Sequence, residues 1–213
     1  MDMKLKICGM RQASNIAAIA ELQPDYMGFI FYHKSPRFIS EVSSELIKYV
    51  PASIKTTGVF VDEELEVVKS YLIKYNLKAI QLHGKESVAY CEALKSTGVE
   101  VIKAFGVNED FDFDQLKAYE HAVDYFLFDT QSPAHGGSGK VFDWNLLANY
   151  HSEKPYFLSG GIGPAQVTMI KQINDPRLYA IDLNSKFEIE PGLKDPIKLA
   201  EFVKAIYPQM KNI

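Results

Sequence analysis

A thiol, a carboxyl, an arginine and two glycine-rich loops are the parts of this 213-residue chain that could do chemistry together. Cys8 lies in Lys6-Ile7-Cys8-Gly9-Met10, where a short alternating segment ends and a glycine opens the turn. A cysteine in that place is either a small buried hydrophobe or, as a thiolate, a base or nucleophile. Asp129 closes the apolar run Tyr125-Phe126-Leu127-Phe128. A carboxyl at the edge of such a run is partly desolvated, which favours the protonated form and suits a general acid. The competing reading is an aspartate that caps the following turn. Arg37 follows Ser35-Pro36 and could hold a planar carboxylate through two parallel N–H donors, or be an ordinary surface arginine. The glycine loops are Gly136-Gly137-Ser138-Gly139 and Gly160-Gly161-Ile162-Gly163, the second running directly into Pro164. Glycine lets backbone N–H groups approach an anion, and a helix start adds positive potential. Gly160 and Gly161 therefore read as a phosphate cradle, and Gly136 to Gly139 as a lid or turn.

Such residues need a scaffold that brings distant stretches together. Short runs rich in β-branched and aromatic residues alternate along the chain with segments of helical periodicity. Strands are expected near 3–8, 26–31, 56–61, 78–82, 100–105, 124–129, 155–159 and 180–183. Helices are expected near 12–22, 40–50, 63–75, 86–96, 112–120, 143–149, 164–173 and 195–206. Strict alternation implies parallel pairing. The expected fold is α/β, a single-domain (β/α)8 TIM barrel over residues 1–213, near the lower end of that fold's size range. A doubly wound open sheet is the alternative, but its Gly-x-Gly-x-x-Gly turn after the first strand is absent.

The polar residues fall in register with this scaffold. At or just after successive strands stand Cys8, Arg37, Asp62, Gln81-Leu82-His83-Gly84, Lys103 with Gly106, Asp129, Gly160-Gly161 and Asn184-Ser185. A parallel barrel gathers strand ends around one pocket, and the loops after its seventh and eighth strands are the usual phosphate site. Lys4, Lys6 and Cys8 share one strand face by period two. With Lys103 and Asp182 in otherwise apolar strands, an internal ion-pair network is expected, Lys4 included. Lys6 would in addition favour a Cys8 thiolate. Gln81 and His83 could line the pocket, but alternation has both facing the same way as packing residues, so they receive low priority. Cys91 lies mid-helix and reads as packing.

Composition narrows the classes. There are 27 acidic and 23 basic residues, a net charge of -4, which gives no basic field for nucleic acid. Two cysteines are too few for a disulfide scaffold and favour a reducing compartment. The five histidines show no zinc spacing, so no metal is expected. No secretory pattern opens the chain, and no apolar run approaches the ~18 residues of a membrane span. A cytoplasmic protein is expected, with no nucleic-acid or membrane partner.

At this point the motifs resemble a known family. Lys6-Ile7-Cys8-Gly9, Ser35-Pro36-Arg37, Gly58-Val59-Phe60-Val61-Asp62, Gln81-Leu82-His83-Gly84, Phe128-Asp129, Gly136-Gly137-Ser138-Gly139 with Phe142-Asp143-Trp144, Ser159-Gly160-Gly161 and Pro191-Gly192-Leu193-Lys194-Asp195 together resemble the phosphoribosylanthranilate isomerases of tryptophan biosynthesis. The likeness runs along essentially the whole chain. It implies a cofactor-free Amadori rearrangement of N-(5-phospho-β-D-ribosyl)anthranilate to 1-(2-carboxyphenylamino)-1-deoxyribulose 5-phosphate. It implies Cys8 as general base, Asp129 as general acid and Arg37 as the anthranilate-binding arginine. Gly137, Gly160, Gly161, Asn184 and Ser185 complete the expected substrate contacts, and the expected assembly is a monomer or homodimer. One stretch departs: where the family often has Ser-Gly-Val-Glu, this chain has Ser185-Lys186-Phe187-Glu188. Two other readings share the scaffold. One is an aminoaldose isomerase of histidine biosynthesis, a type that typically uses two aspartates; the other is a non-catalytic barrel that binds phosphorylated metabolites.

Overall fold

The computed structural model describes residues 3–40, 45–130 and 142–208. Among them, eight parallel strands close into a barrel in sequence order. They are β1 (Lys4–Ile7), β2 (Tyr26–Ile30), β3 (Lys55–Phe60), β4 (Ala79–Leu82), β5 (Glu100–Val107), β6 (Tyr125–Thr130), β7 (Tyr156–Leu158) and β8 (Leu178–Leu183). Closure comes from β1 pairing with β8, Lys4 opposite Ala180 through Ile7 opposite Leu183. Closing the ring leaves no strand edge unpaired. The expected barrel is thus observed, each strand within two residues of its expected place.

Strand alternation sorts the side chains into two layers. On β1, Leu5 and Ile7 face outward and join the large apolar core beneath the helices, with Ile16 and Ile19 of α1 (Ala13–Ala20) among their neighbours in it. The same layer takes up Val68 of α2 (Leu65–Lys74), Cys91 and Leu94 of α3 (Val88–Lys95), Ile170 of α4 (Val167–Gln172) and Leu199, Phe202 and Val203 of α5 (Pro196–Ile206). The opposite strand face supplies a separate cluster, Tyr26, Ala79, Ile102, Ala104, Leu127, Phe157 and Ala180, which plugs the barrel. The cavity at the C-terminal strand ends therefore lies above this plug. Among the described residues no helix is long and apolar enough to cross a membrane.

Three expected α-helices are 3-10 helices instead: Glu45–Tyr49, Phe113–Tyr119 and Trp144–Asn149. Residues 41–44 of the first expectation lie outside the described residues. The reason is in the side-chain spacing. Phe113, Leu116 and Tyr119 pack inward at intervals of three, as do Trp144, Leu147 and Tyr150. A period of three aligns those side chains in a 3-10 helix, where i and i+3 eclipse. Pro164 opens the expected helix at 164–173 as a 3-10 turn, and α4 follows it.

One element was not expected. After β8 a 3-10 turn, Ser185–Phe187, leads into an antiparallel hairpin of β9 (Glu188–Glu190) and β10 (Leu193–Lys194). Its turn is Pro191-Gly192, with Gly192 at φ +85, a dipeptide that marks turns in sequence.

Candidate active site

The C-terminal ends of the strands surround a cavity of about 250 Å³. Cys8, Arg37, Asp129, Gly160, Gly161, Asn184 and Ser185 all line it. Gly137, with the whole 136–139 loop, lies outside the described residues.

Cys8 sits one residue past β1, its N–H donating to Leu183 O at 2.9 Å. The chain then turns at Gly9, in the left-handed region at φ +79, and the N–H groups of Gly9 and Met10 both donate to Gly28 O. Gly28 makes room for the sulfur, since a Cβ there would lie 2.6 Å from Sγ. The thiol is only 4% exposed. Burial pushes its pKa up, while the Lys6 and Lys194 ammonium groups pull the other way. Lys6 is itself fully buried and bonded to Asp182 Oδ2 at 2.9 Å. Burial works against its charge, but Asp182 and the thiol outweigh this and hold Lys6 above the usual lysine value. This is the buried ion pair expected from the strand faces. Lys4 differs from expectation: it pairs with Asp25 at 2.8 Å on the partly exposed opposite rim. Replacing Lys6 by Met would leave Asp182 buried and unpaired. Lys6→Met is expected to lower the unfolding free energy by about 3–5 kcal/mol, read from urea denaturation; an unshifted midpoint would refute that.

Asp129 stands near the end of β6. Its Oδ1 accepts the N–H of Thr130 at 2.7 Å. Its Oδ2 lies 3.4 Å from His83 Nε2, and His83 Nδ1 lies 2.9 Å from Gln81 Nε2. Gly160, at φ +88, packs on the same carboxyl: a Cβ there would fall 2.6 Å from Thr130 N and 2.9 Å from Asp129 Oδ1. Only glycine therefore brings the loop after β7 down onto Asp129. Gln81 and His83 both line the cavity, the pocket position that alternation had given low priority. They share the inward face with Ala79, which belongs to the plug. That face becomes pocket only at the strand's last residues.

The loop after β8 carries residues that the sequence did not single out. Arg37 Nε donates to both oxygens of Glu188, at 2.9 and 3.0 Å, and Nη2 donates to Oε2 at 2.6 Å. Lys194 Nζ donates to Glu188 Oε1 at 2.6 Å and to Asn184 Oδ1 at 2.7 Å. Burial alone would raise the pKa of Glu188, but Arg37 and Lys194 outweigh it and hold it below the ordinary value. Asn15 fixes the backbone of Lys194, donating to its O at 2.8 Å and accepting from its N at 2.9 Å. The hairpin thus reaches back across the barrel mouth and clamps Arg37. Its Pro-Gly turn was a readable signal; the identity of the residue it presents to Arg37 was not.

Other strand-end residues point elsewhere. Asp62, at φ +50, accepts from Lys85 N, and its own N–H donates to Glu86 Oε1. Lys103 turns outward to Glu86 at 3.2 Å and to Gly84 O at 2.8 Å. Lys186 lays its stem on the loop after β7, a Cβ at Gly163 being 3.1 Å from Lys186 Cβ. Among the described residues no three His, Cys, Asp or Glu side chains come together as a metal site.

A family model described as N-(5'phosphoribosyl)anthranilate (PRA) isomerase matches residues 5–205. The chain belongs to this family. The PRA isomerase of Parabacteroides distasonis is 45% identical over 206 residues, covering 96% of this chain and 93% of that protein. That of Thermotoga neapolitana is 39% identical over 203 residues, covering 94% and 97%. Among solved structures, the Thermotoga maritima PRA isomerase superposes with a TM-score of 0.86 at 34% identity, covering 97% of this chain and 99% of that one. Another PRA isomerase structure, 31% identical with a TM-score of 0.83 over 97% and 99% of the chains, holds reduced 1-(o-carboxyphenylamino)-1-deoxyribulose 5-phosphate. The family drawn from the motifs is borne out.

Proposed function

We propose that Cys8 is the general base and Asp129 the general acid in the isomerisation of N-(5'-phosphoribosyl)anthranilate, the family's step in tryptophan biosynthesis. The observation that carries this reading is that a buried thiol from the start of the chain and a carboxyl from past its middle line one cavity. The chemistry asks for two such groups. Asp129 protonates the ring oxygen as the furanose opens, leaving an iminium at C1. The iminium acidifies C2, and the Cys8 thiolate removes that proton. The resulting enolamine tautomerises to the amino ketone. Acid and base must differ in protonation state at the same pH, and they stand in different surroundings: the thiol beside two ammonium groups, the carboxyl beside His83 and the Thr130 N–H.

Arg37 receives the anthranilate carboxylate on its Nη1 edge, since Glu188 takes Nε and Nη2. Gly160 and Gly161, both at positive φ, offer backbone N–H groups to the phosphate, with Asn184 and Ser185 of the facing loop and Gly137 as further contacts. Arg37→Ala is expected to raise KM about tenfold or more, a charge-assisted pair being lost, with kcat changed much less. An unchanged KM would remove Arg37 from the carboxylate site. The protein is placed in the cytoplasm, as one domain, acting as a monomer or homodimer; the Thermotoga maritima relative is described as dimeric.

The test is fluorescence loss of the anthranilate substrate, run in parallel with an aminoaldose of histidine biosynthesis. Turnover of the first is expected. Turnover of the second alone, or binding of phosphorylated ligands with no turnover, would overturn the reading.

A further inference from the structure

Resting on the acid–base pair proposed above, the proton account does not close after one turnover. Asp129 has given a proton to the ring oxygen, and Cys8 has taken one from C2. Before the next substrate, Asp129 must regain its proton. Its Oδ1 is occupied by the Thr130 N–H at 2.7 Å, so the exchangeable proton belongs on Oδ2, the oxygen that faces His83 Nε2 at 3.4 Å.

His83 is placed between two spaces. It lines the central cavity and also a neighbouring one of about 760 Å³ beside β4 and β5. Its side chain is 15% exposed. Behind it, Gln81 holds Nδ1 at 2.9 Å. Gln81 Oε1 is buried with no hydrogen-bond partner among the described residues. Among the described residues nothing else bonds that carboxamide, so it can present either its NH2 or its oxygen to Nδ1. His83 can then carry its proton on Nε2 or on Nδ1, leaving Nε2 a donor or an acceptor toward Asp129. The charged groups that line the two cavities His83 faces are Lys34, Arg37, Asp129 and Asp182 in the central one and Lys85, Lys103, Asp110 and Asp112 in the side one.

We propose that His83, oriented by Gln81, returns the proton to Asp129 after each turnover. Cys8 releases the C2 proton to solvent in the central cavity, while Nε2 takes one proton from solvent in the side cavity and passes it to Asp129 Oδ2; solvent gains and loses one proton, and the thiolate, the carboxylic acid and the neutral ring are all restored. His83 acts through Asp129 and does not itself touch the reacting carbons.

The test compares first and later turnovers in the full-length chain. In His83→Asn, the first turnover in stopped flow is expected to keep its wild-type rate, while steady-state kcat falls about tenfold or more. Imidazole added to the buffer is expected to restore kcat. Gln81→Leu, which leaves the ring but releases Nδ1, is expected to show the same split more weakly and serves if His83→Asn folds poorly. Equal loss in first and later turnovers, an unchanged steady-state rate, or no rescue by imidazole would overturn the relay. Asp129→Asn separates the two questions: loss of its first turnover upholds the acid assignment whatever His83 does, and a retained first turnover removes both.

Discussion

Cys8→Ala is expected to lower kcat by about a thousandfold, within the range that a positioned base contributes, and to change KM little. The sulfur is 4% exposed and sits where Gly28 leaves it room, so no neighbour is placed to substitute for it. Lys6 cannot, because its buried ion pair with Asp182 at 2.9 Å keeps it charged. Alanine removes the reacting atom without filling or opening the fold greatly, so the melting temperature should move little beside the rate. The pH dependence follows from the thiol's surroundings. Burial holds Cys8 above its ordinary value of 9.0, so the neutral thiol dominates at neutral pH and the active thiolate grows as pH rises. Wild-type kcat/KM should therefore climb as pH rises through the neutral range and beyond. Cys8→Ala should lose that rise. A variant that keeps wild-type kcat in the fluorescence assay would end the base assignment.

Asp129→Asn is expected to be as severe, about a thousandfold or more in kcat, for a different reason. Asparagine keeps the shape and can still accept the Thr130 N–H at Oδ1, but it presents an NH2 where Oδ2 faced His83 and has no acidic proton for the ring oxygen. The lesion is thus confined to proton delivery. The prediction is that substrate or product-analogue affinity, measured by calorimetry, survives while turnover does not. Appreciable turnover would show that another group opens the ring.

The barrel was legible because its signal is repeated: each strand is a short β-branched or aromatic run, and each ends near a polar residue. One weak run would not have mattered. Where the helix period was misjudged, at 113–119 and 144–149, the inward residues recur every three positions, and a window tuned to 3.6 blurs the difference. That Cys8, Asp129, Arg37 and the 160–161 glycines would line one cavity was legible because each stands at or just after the end of a parallel strand, where a barrel gathers its pocket. Gln81 and His83 were given too little weight because face and depth are different things. Alternation gives the face, and only the height of the plug, set by Tyr26, Leu127 and Phe157 from other strands, tells where packing stops and pocket begins. Glu188 and Lys194 were missed because their meaning depends on a hairpin that folds back over the mouth, a contact with Arg37 made across 151 positions. No local pattern encodes that distance.

A structure with the reduced product analogue bound decides whether the thiol and the carboxyl meet the reacting atoms. Cys8 Sγ is expected within about 3.5 Å of the analogue's C2, and Asp129 Oδ2 at hydrogen-bond distance from the oxygen that had closed the sugar ring. A bound analogue whose C2 turns away from the sulfur, or whose former ring oxygen is met by some group other than Asp129, would contradict the acid–base assignment.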